Sequence, residues 1–134
     1  MNKALDLEIR SRARHRCEYC RIPQTAYRSR FQIDHVIAQQ HKGPTTSDNL
    51  ALCCIRCNLH KGPNIAGVDP ATGQITRLFH PRRDDWNAHF EWNGAMLVGK
   101  TPEGRATVEV LAINDSTFVA LRAELIADGS FFEA

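Results

Sequence analysis

Long hydrophobic runs are missing from this sequence. No stretch of its 134 residues comes near the roughly 18–20 consecutive apolar residues that a membrane-spanning helix needs. The opening segment, MNKALDLEIRSR, carries charges where a secretory signal peptide has its apolar region. Internal repeats and low-complexity segments are also absent. We therefore expect a cytoplasmic protein that has no membrane partner.

A complete set of cysteine pairs is missing too, because the chain contains five cysteines. An odd number fits poorly with a closed disulfide framework, and the cytoplasm keeps thiols reduced. The hydrophobic fraction of 43% and the charged fraction of 24% are ordinary for a globular protein and argue against disorder. The length suits a single domain, in which we expect the cysteines to be metal ligands or free thiols.

The two halves of the chain differ in charge. Residues 1–67 contain 11 Lys and Arg against 5 Asp and Glu, whereas residues 68–134 contain 6 against 10. The formal charges of the halves are therefore +6 and −4. A basic half favours an anionic partner such as nucleic acid, although ordinary surface solvation also produces splits of this kind.

Apolar spacing in the first half predicts two helices separated by a strand. The first helix is expected over residues 3–16, with Asn2 as its N-cap. Alternation over residues 31–37 predicts a strand, which a polar loop follows. A second, short helix is expected to begin at Asn58 and to stop at Gly62-Pro63.

The second half has the signals of a hairpin and two further helices. Asn93-Gly94 is a strong turn signal between two apolar segments, and residues 74–79 alternate as a strand does. Thr101-Pro102 predicts the start of one helix, and Ser116 lies where another begins. The aromatic side chains of the hairpin either stack on nucleic acid or form a second core, and the core is favoured. These side chains are Trp86, His89, Phe90 and Trp92.

Two cysteine pairs have the same spacing, Cys17-x-x-Cys20 and Cys54-x-x-Cys57. Two such turns can surround one metal, and zinc accepts four thiolates at about 2.3 Å in a tetrahedron. Four protein ligands leave no position for a water molecule, so the predicted zinc is structural. The alternative is a set of ordinary buried or redox-active thiols. Cys53 breaks the symmetry of the pairs, and we expect it to be a small core residue.

Further motifs lie between the cysteine pairs and directly after them. In chain order they are Asp34-His35-Val36, a loop containing Gly43, Asp48-Asn49-Leu50 and Asn58-x-x-Lys61-Gly62. With the cysteines, this order resembles the HNH endonuclease family, in the type with a four-cysteine zinc clasp and a Cys-Asn-x-x-Lys-Gly ending. The resemblance covers about residues 10–66 and implies a ββα-metal core that cleaves DNA phosphodiester bonds with a divalent metal.

The resemblance also implies roles for individual residues. His35 matches the general base, and an imidazole can take up a proton near neutral pH. Asp34 and Asn58 match the ligands of a catalytic Mg²⁺, Mn²⁺ or Ni²⁺, and Asn58 replaces the third histidine of the family. Asn49 matches the residue that holds the long loop and orients the base. Lys61 shares a helix face with Asn58, so we expect it to contact the phosphate, whereas His60 should face away.

These observations predict a single α+β domain. Residues 1–66 are expected to form the zinc-clasped HNH core, and residues 67–134 a hairpin plus two helices packed on it. The predicted function is that of a DNA endonuclease or nickase. The alternatives are a non-catalytic zinc module that binds DNA or a protein partner, and an RNA nuclease. The residues expected to contact nucleic acid are Arg12, Arg14, Arg16, Arg56 and Lys61.

Overall fold

Short helices and paired strands alternate along the chain in the computed structural model, which describes residues 1–132. This mixture confirms the predicted α+β class. The last two residues of the predicted extension lie outside the described residues. Within the described part of the chain, no helix combines the length and the apolar composition needed to cross a membrane. The helices are α1 (Lys3–Arg12), α2 (Ile55–Lys61), α3 (Trp86–His89), α4 (Pro102–Val110) and α5 (Ser116–Ala127). The strands are β1 (Gln32–His35), β2 (Leu50–Cys53), β3 (Ala66–Val68), β4 (Ile75–Arg77), β5 (Phe90–Asn93) and β6 (Met96–Gly99).

The chain divides into two units, and the first of them is made from two separate segments. It contains residues 1–65 and residues 80–84, while the second unit contains residues 66–79 and the chain from residue 85 onward. The return segment belongs to the first unit because Arg82 pairs with the buried carboxylate of Glu18. The sequence predicts one boundary after residue 66 and does not predict that residues 80–84 belong to the first unit. That the two units form one structural domain stays a prediction.

The first unit is built on a hairpin followed by a helix. Strands β1 and β2 pair antiparallel, with Asp34 opposite Ala51 and His35 opposite Leu50. All four residues of β2 are buried, which makes it the inner strand of the unit. The β1 strand is shorter than the 31–37 segment expected from alternation, because only its central residues pair with β2.

Helix α1 ends at Arg12, although apolar spacing predicts that it continues to residue 16. Its start is as expected, since the Asn2 side chain accepts a hydrogen bond from the backbone N–H of Leu5 at 2.8 Å. Arg14 and His15 adopt positive φ values of 55° and 57°, which a helix cannot contain. The chain therefore leaves the helix early and turns toward the first cysteine pair.

Helix α2 begins earlier than the expected start at Asn58. Cys54 is its N-cap, and the backbone N–H of Cys57 donates to the Cys54 sulfur at 3.4 Å. The second cysteine pair is therefore the first turn of the helix rather than a separate turn before it. The helix ends at Lys61, and Gly62 follows with a φ of 52°.

The second unit contains two hairpins that both contact α4. The β5–β6 hairpin turns at Asn93-Gly94 as predicted. Residues 86–89, expected to begin this hairpin, form the helical turn α3 instead. Strand β3 was not expected from the sequence, and it pairs with β4. Helix α4 begins as predicted, because the Thr101 hydroxyl accepts a hydrogen bond from Gly104 N–H at 3.0 Å.

The aromatic side chains of the second half form a core. Trp86 and Phe90 are buried with ring centroids 5.2 Å apart, and Phe79 lies 5.1 Å from Phe90 in an edge-to-face arrangement. Of the two alternatives for these rings, packing accounts for Trp86 and Phe90, since buried rings cannot stack on a nucleic acid.

A buried carboxylate also helps to hold the second unit together. Asp69 is fully buried and accepts two hydrogen bonds from the Arg105 guanidinium, at 2.9 and 2.8 Å. It also accepts one from the Thr72 hydroxyl at 3.0 Å. The hydrogen bonds from Arg105 hold the pKa of Asp69 far below its ordinary value.

This lowered pKa predicts a loss of stability in acid. A carboxyl group whose pKa is lower in the folded state stabilises the fold above its unfolded pKa, about 3.9, and loses that contribution as pH falls. We expect the free energy of unfolding to fall between about pH 4 and pH 2. Asp69→Asn should be less stable than wild type at pH 7 and should show a smaller loss in acid, which urea unfolding at several pH values will measure. An unchanged acid profile in Asp69→Asn would contradict this role.

Candidate functional site

Four buried thiols form a compact cluster in the first unit. The sulfur atoms of Cys17, Cys20, Cys54 and Cys57 all lie within 4.8 Å of one another. Cys20 and Cys54 are 3.8 Å apart, sulfur to sulfur. In a tetrahedron with zinc–sulfur bonds of about 2.3 Å, two sulfurs are separated by about 3.8 Å. The donor set and its spacing therefore fit zinc.

Cys53 is buried beside this cluster without belonging to it. Burial by itself would raise the pKa of the Cys17 thiol, but hydrogen bonds from the surrounding thiols, Cys53 included, hold that pKa well below its ordinary value. The expected distinction between four clustered cysteines and one separate cysteine is present in the structure.

Asp34 and His35, neighbours on β1, point to opposite sides of the strand. The Asp34 carboxylate is buried and accepts a hydrogen bond from the Tyr19 hydroxyl at 2.9 Å. The His35 ring is half-buried, and its Nε2 lies 2.9 Å from the Thr45 hydroxyl oxygen. Successive side chains of a strand alternate in this way, so the two groups can meet only at a molecule bound at the strand end.

Lys61 lies inside the protein, although its helix position predicts contact with a phosphate. Its side chain is 1% exposed, and its Nζ is 3.1 Å from Asp34 Oδ2 and 3.3 Å from the carbonyl oxygen of His35. The prediction that Lys61 contacts a DNA phosphate is therefore corrected. The helix face was correctly identified, but this face packs against β1, so the ammonium pairs with a carboxylate of the protein.

The environment of Asp34 sets its ionisation. Burial raises the pKa of its carboxyl group above the ordinary value, and the Lys61 ammonium and the Tyr19 hydroxyl oppose that rise. Both partners stabilise the charged form, which is the form that can bind a cation.

Asn58 lies on the same face of α2 as Lys61, and its amide is oriented by a contact with β1. The Asn58 Nδ2 group donates to the side-chain oxygen of Gln32. Gln32 and Asp34 are two residues apart on β1 and share a side of the strand. Asn58 and Asp34 therefore stand on facing surfaces, and the Asn58 Oδ1 atom has no hydrogen bond to another described residue.

Asn49 closes the base of the loop that joins β1 to β2. Its side chain accepts a hydrogen bond from Ile37 N–H at 2.9 Å and donates to the carbonyl oxygens of Ile37 and Pro44. The chain at Gly43 passes so close to Ile37 that an added Cβ would lie 1.7 Å from the Ile37 oxygen. Asn49 and Gly43 together keep the loop, which carries Thr45, folded back on the strand end.

Arg12 is also committed to internal contacts. Its guanidinium donates to the Ser47 hydroxyl at 2.6 Å and to the backbone oxygens of Ser47 and Leu50. These bonds hold the guanidinium against the β1–β2 loop, and its contact with DNA stays a prediction. Arg14 is exposed, whereas Arg16 and Arg56 are half-buried. His60 is exposed on α2, as its helix position predicts.

Sequence reasoning did not identify three residues of this site, namely Tyr19, Gln32 and Thr45. Tyr19 lies between two metal-ligand candidates, and Gln32 lies two positions before Asp34, so spacing could have indicated both. No local signal marks Thr45, whose contact with His35 spans 10 positions of the sequence.

The buried pair predicts how substitutions here change stability. Lys61→Met should lower the free energy of unfolding by about 3–5 kcal/mol, because it leaves a buried carboxylate without its cation. The double variant Asp34→Asn/Lys61→Met should recover much of this loss, since neither charge then remains. Chemical unfolding of the zinc-loaded proteins will measure both. A Lys61→Met protein as stable as wild type would show that the pair contributes little.

Comparison with known proteins agrees with this geometry. Residues 17–64 match the family model described as HNH endonuclease. The chain is 26% identical over 92 residues to the Septu protein PtuA of Bacillus mycoides (strain KBAB4), an alignment that covers 60% of this chain. The chain spans only about 13% of that relative's length. No solved structure matches the chain. The thiol cluster, the β1–β2 hairpin and α2 all lie inside the family match, and residues 17–64 of this chain therefore form an HNH domain.

Proposed function

We propose that the first unit is a metal-dependent nuclease that hydrolyses phosphodiester bonds of DNA, as an endonuclease or a nickase. The observation that carries this proposal is the arrangement around β1. Two oxygen donors, Asp34 and Asn58, lie on facing surfaces of β1 and α2, and the imidazole of His35 lies on the other side of the same strand end. In metal-assisted phosphodiester hydrolysis, a cation on one side of the scissile phosphate and a base on the other can act together.

The oxygen donors suit a hard divalent cation. A carboxylate and an amide carbonyl, completed by water and substrate oxygens, are typical ligands of Mg²⁺ and Mn²⁺. A divalent metal held by Asp34 and Asn58 would neutralise charge that develops on the phosphate. The Asn58 amide is already turned for this task, because its NH₂ group donates to Gln32 and its oxygen is left for a ligand.

His35 is suited to take the proton of the attacking water. Its Nε2 is engaged by Thr45, and Nδ1 has no hydrogen bond to another residue in the described part of the chain. If Nε2 carries the proton and donates it to Thr45, Nδ1 has a lone pair to accept one. Asn49 supports this geometry, because it holds the loop that carries Thr45.

Lys61 and the arginines have separate tasks in this proposal. Lys61 keeps the Asp34 carboxylate charged and in place, and it does so from the protein interior without contacting the substrate. The basic surface of the first half supplies the contacts with the DNA backbone, with Arg14, Arg16 and Arg56 as the residues expected there. An RNA substrate remains the alternative that a panel of nucleic acids tests directly.

The thiol cluster is proposed to hold one structural zinc ion. Purified protein should contain about one zinc per chain, and Cys53→Ser should retain it because Cys53 is outside the cluster. Cys57→Ser should lose the zinc and unfold, since a structural zinc site contributes its binding energy to folding. Elemental analysis and circular dichroism will measure both outcomes. Well-folded protein without zinc would contradict the assignment.

Plasmid cleavage tests the catalytic roles. His35→Ala should lower the cleavage rate about 10²–10⁴-fold, because it removes the general base. Fold and zinc content should stay unchanged, because the four clustered cysteines are all retained. Asp34→Ala and Asn58→Ala should instead need more Mn²⁺, because a lost ligand weakens metal binding and added metal partly compensates. Rates measured across metal concentration, with Mg²⁺, Mn²⁺ and Ni²⁺, will separate the two kinds of defect.

His60→Ala is the matched control, since it removes an imidazole from the exposed side of the same helix. It should cleave at nearly the wild-type rate. Cleavage by His35→Ala at the wild-type rate would exclude His35 as the base. Loss of activity in His60→Ala together with an active Asn58→Ala would move the metal site to the other face of α2.

A further inference from the structure

Asp34 is held from two sides, and its two holders come from the two arms of the thiol cluster. Tyr19 lies between Cys17 and Cys20 and is fully buried. Lys61 is the last residue of α2, the helix that Cys54 caps and whose first turn contains Cys57. Each cysteine pair therefore delivers one hydrogen-bond donor to the same carboxylate.

The two oxygens of this carboxylate are not equivalent. Oδ2 accepts from the Tyr19 hydroxyl at 2.9 Å and lies 3.1 Å from Lys61 Nζ. Oδ1 accepts a hydrogen bond from the same ammonium at the longer distance of 3.4 Å. The shorter contacts therefore fall on Oδ2, and Oδ1, which accepts one long hydrogen bond, has a lone pair left for a further ligand.

The position of Tyr19 is itself set by backbone hydrogen bonds. The neighbouring Glu18 donates its N–H to the Leu52 oxygen at 2.9 Å and accepts the Leu52 N–H through its carboxylate at 2.8 Å. Leu52 belongs to β2, the strand that pairs with β1 and its Asp34. The tyrosine hydroxyl and the carboxylate are therefore attached to the same β1–β2 hairpin.

We propose that Tyr19 is a positioning residue for Asp34, which anchors Oδ2 so that Oδ1 is presented to the divalent metal. The inference rests on the proposed function, and it assigns to Tyr19 a task beyond packing. Partners that hydrogen-bond a metal ligand from behind typically change metal affinity or activity 10–100-fold when they are removed.

Tyr19→Phe tests this, with Tyr27→Phe as its matched control. The chain contains two tyrosines, and the hydroxyl of the half-buried Tyr27 has no hydrogen bond to another described residue. Mn²⁺ titrations of the zinc-loaded proteins, followed by calorimetry or by the Mn²⁺ spin-resonance signal, measure binding without any cleavage. Tyr19→Phe should raise the half-saturating Mn²⁺ concentration about 10–100-fold and keep its zinc, whereas Tyr27→Phe should match wild type.

Two further measurements separate positioning from a general effect. Cleavage by Tyr19→Phe at saturating Mn²⁺ should approach the wild-type rate, because the defect lies in metal binding. In an Asp34→Asn background, Tyr19→Phe should add no further loss of Mn²⁺ affinity, since its effect passes through the missing carboxylate.

Each failure has a distinct meaning. If wild type and Tyr19→Phe bind Mn²⁺ equally well, the role of Tyr19 is overturned and the proposed function is left intact. If Tyr19→Phe loses zinc or unfolds, the positioning role is overturned as well, because the task of Tyr19 would then be structural. Wild type that neither binds Mn²⁺ nor cleaves DNA with any metal overturns the proposed function and this inference together.

Discussion

Holding four thiols within 4.8 Å of one another is the constraint on which the first unit depends. The two cysteine pairs come from segments far apart in the chain, and each segment also supplies a residue that contacts Asp34. One pair contains Tyr19, and the other begins the helix that ends at Lys61. A displacement of either pair would therefore change the surroundings of that carboxylate as well as the thiol cluster.

The buried pair of Asp34 and Lys61 shows how this small unit combines charge with burial. Two ionised groups in the interior cost desolvation energy, which close pairing and further hydrogen bonds offset. Here Tyr19 and the His35 carbonyl oxygen provide those bonds. Removing water from around Asp34 also strengthens its attraction to any cation bound beside it. The same arrangement thus stabilises the unit and supports the proposed chemistry.

Local signals predicted a good part of this structure. The cysteine spacing indicated the cluster, the Asn93-Gly94 dipeptide indicated the hairpin, and Thr101-Pro102 indicated the start of α4. The turn and helix-start signals depend on residues that are adjacent in the sequence. The repeated cysteine spacing is typical of a single arrangement, four thiols around one metal.

Contacts between distant segments could not be predicted in this way. Helical periodicity showed which face Lys61 shares with Asn58, but not whether that face meets solvent or β1. Arginine is a residue type that often binds phosphate. In this structure, however, Arg12 and Arg105 contact Ser47 and Asp69, which lie 35 and 36 positions away in the sequence. The early end of α1 follows from two left-handed residues that are neither glycine nor asparagine, so no turn signal marks it.

The return of residues 80–84 to the first unit affects the order in which the protein can fold during synthesis. Glu18, which is buried, lies early in the sequence, and its partner Arg82 follows 64 residues later. During synthesis Glu18 leaves the ribosome long before Arg82, so the nascent first unit has a carboxylate whose cation has not yet been made. The hairpin formed by residues 66–79 emerges in that interval. Completion of the core therefore waits for part of its neighbour to be synthesised, and the two units cannot be separated by a single cut in the chain.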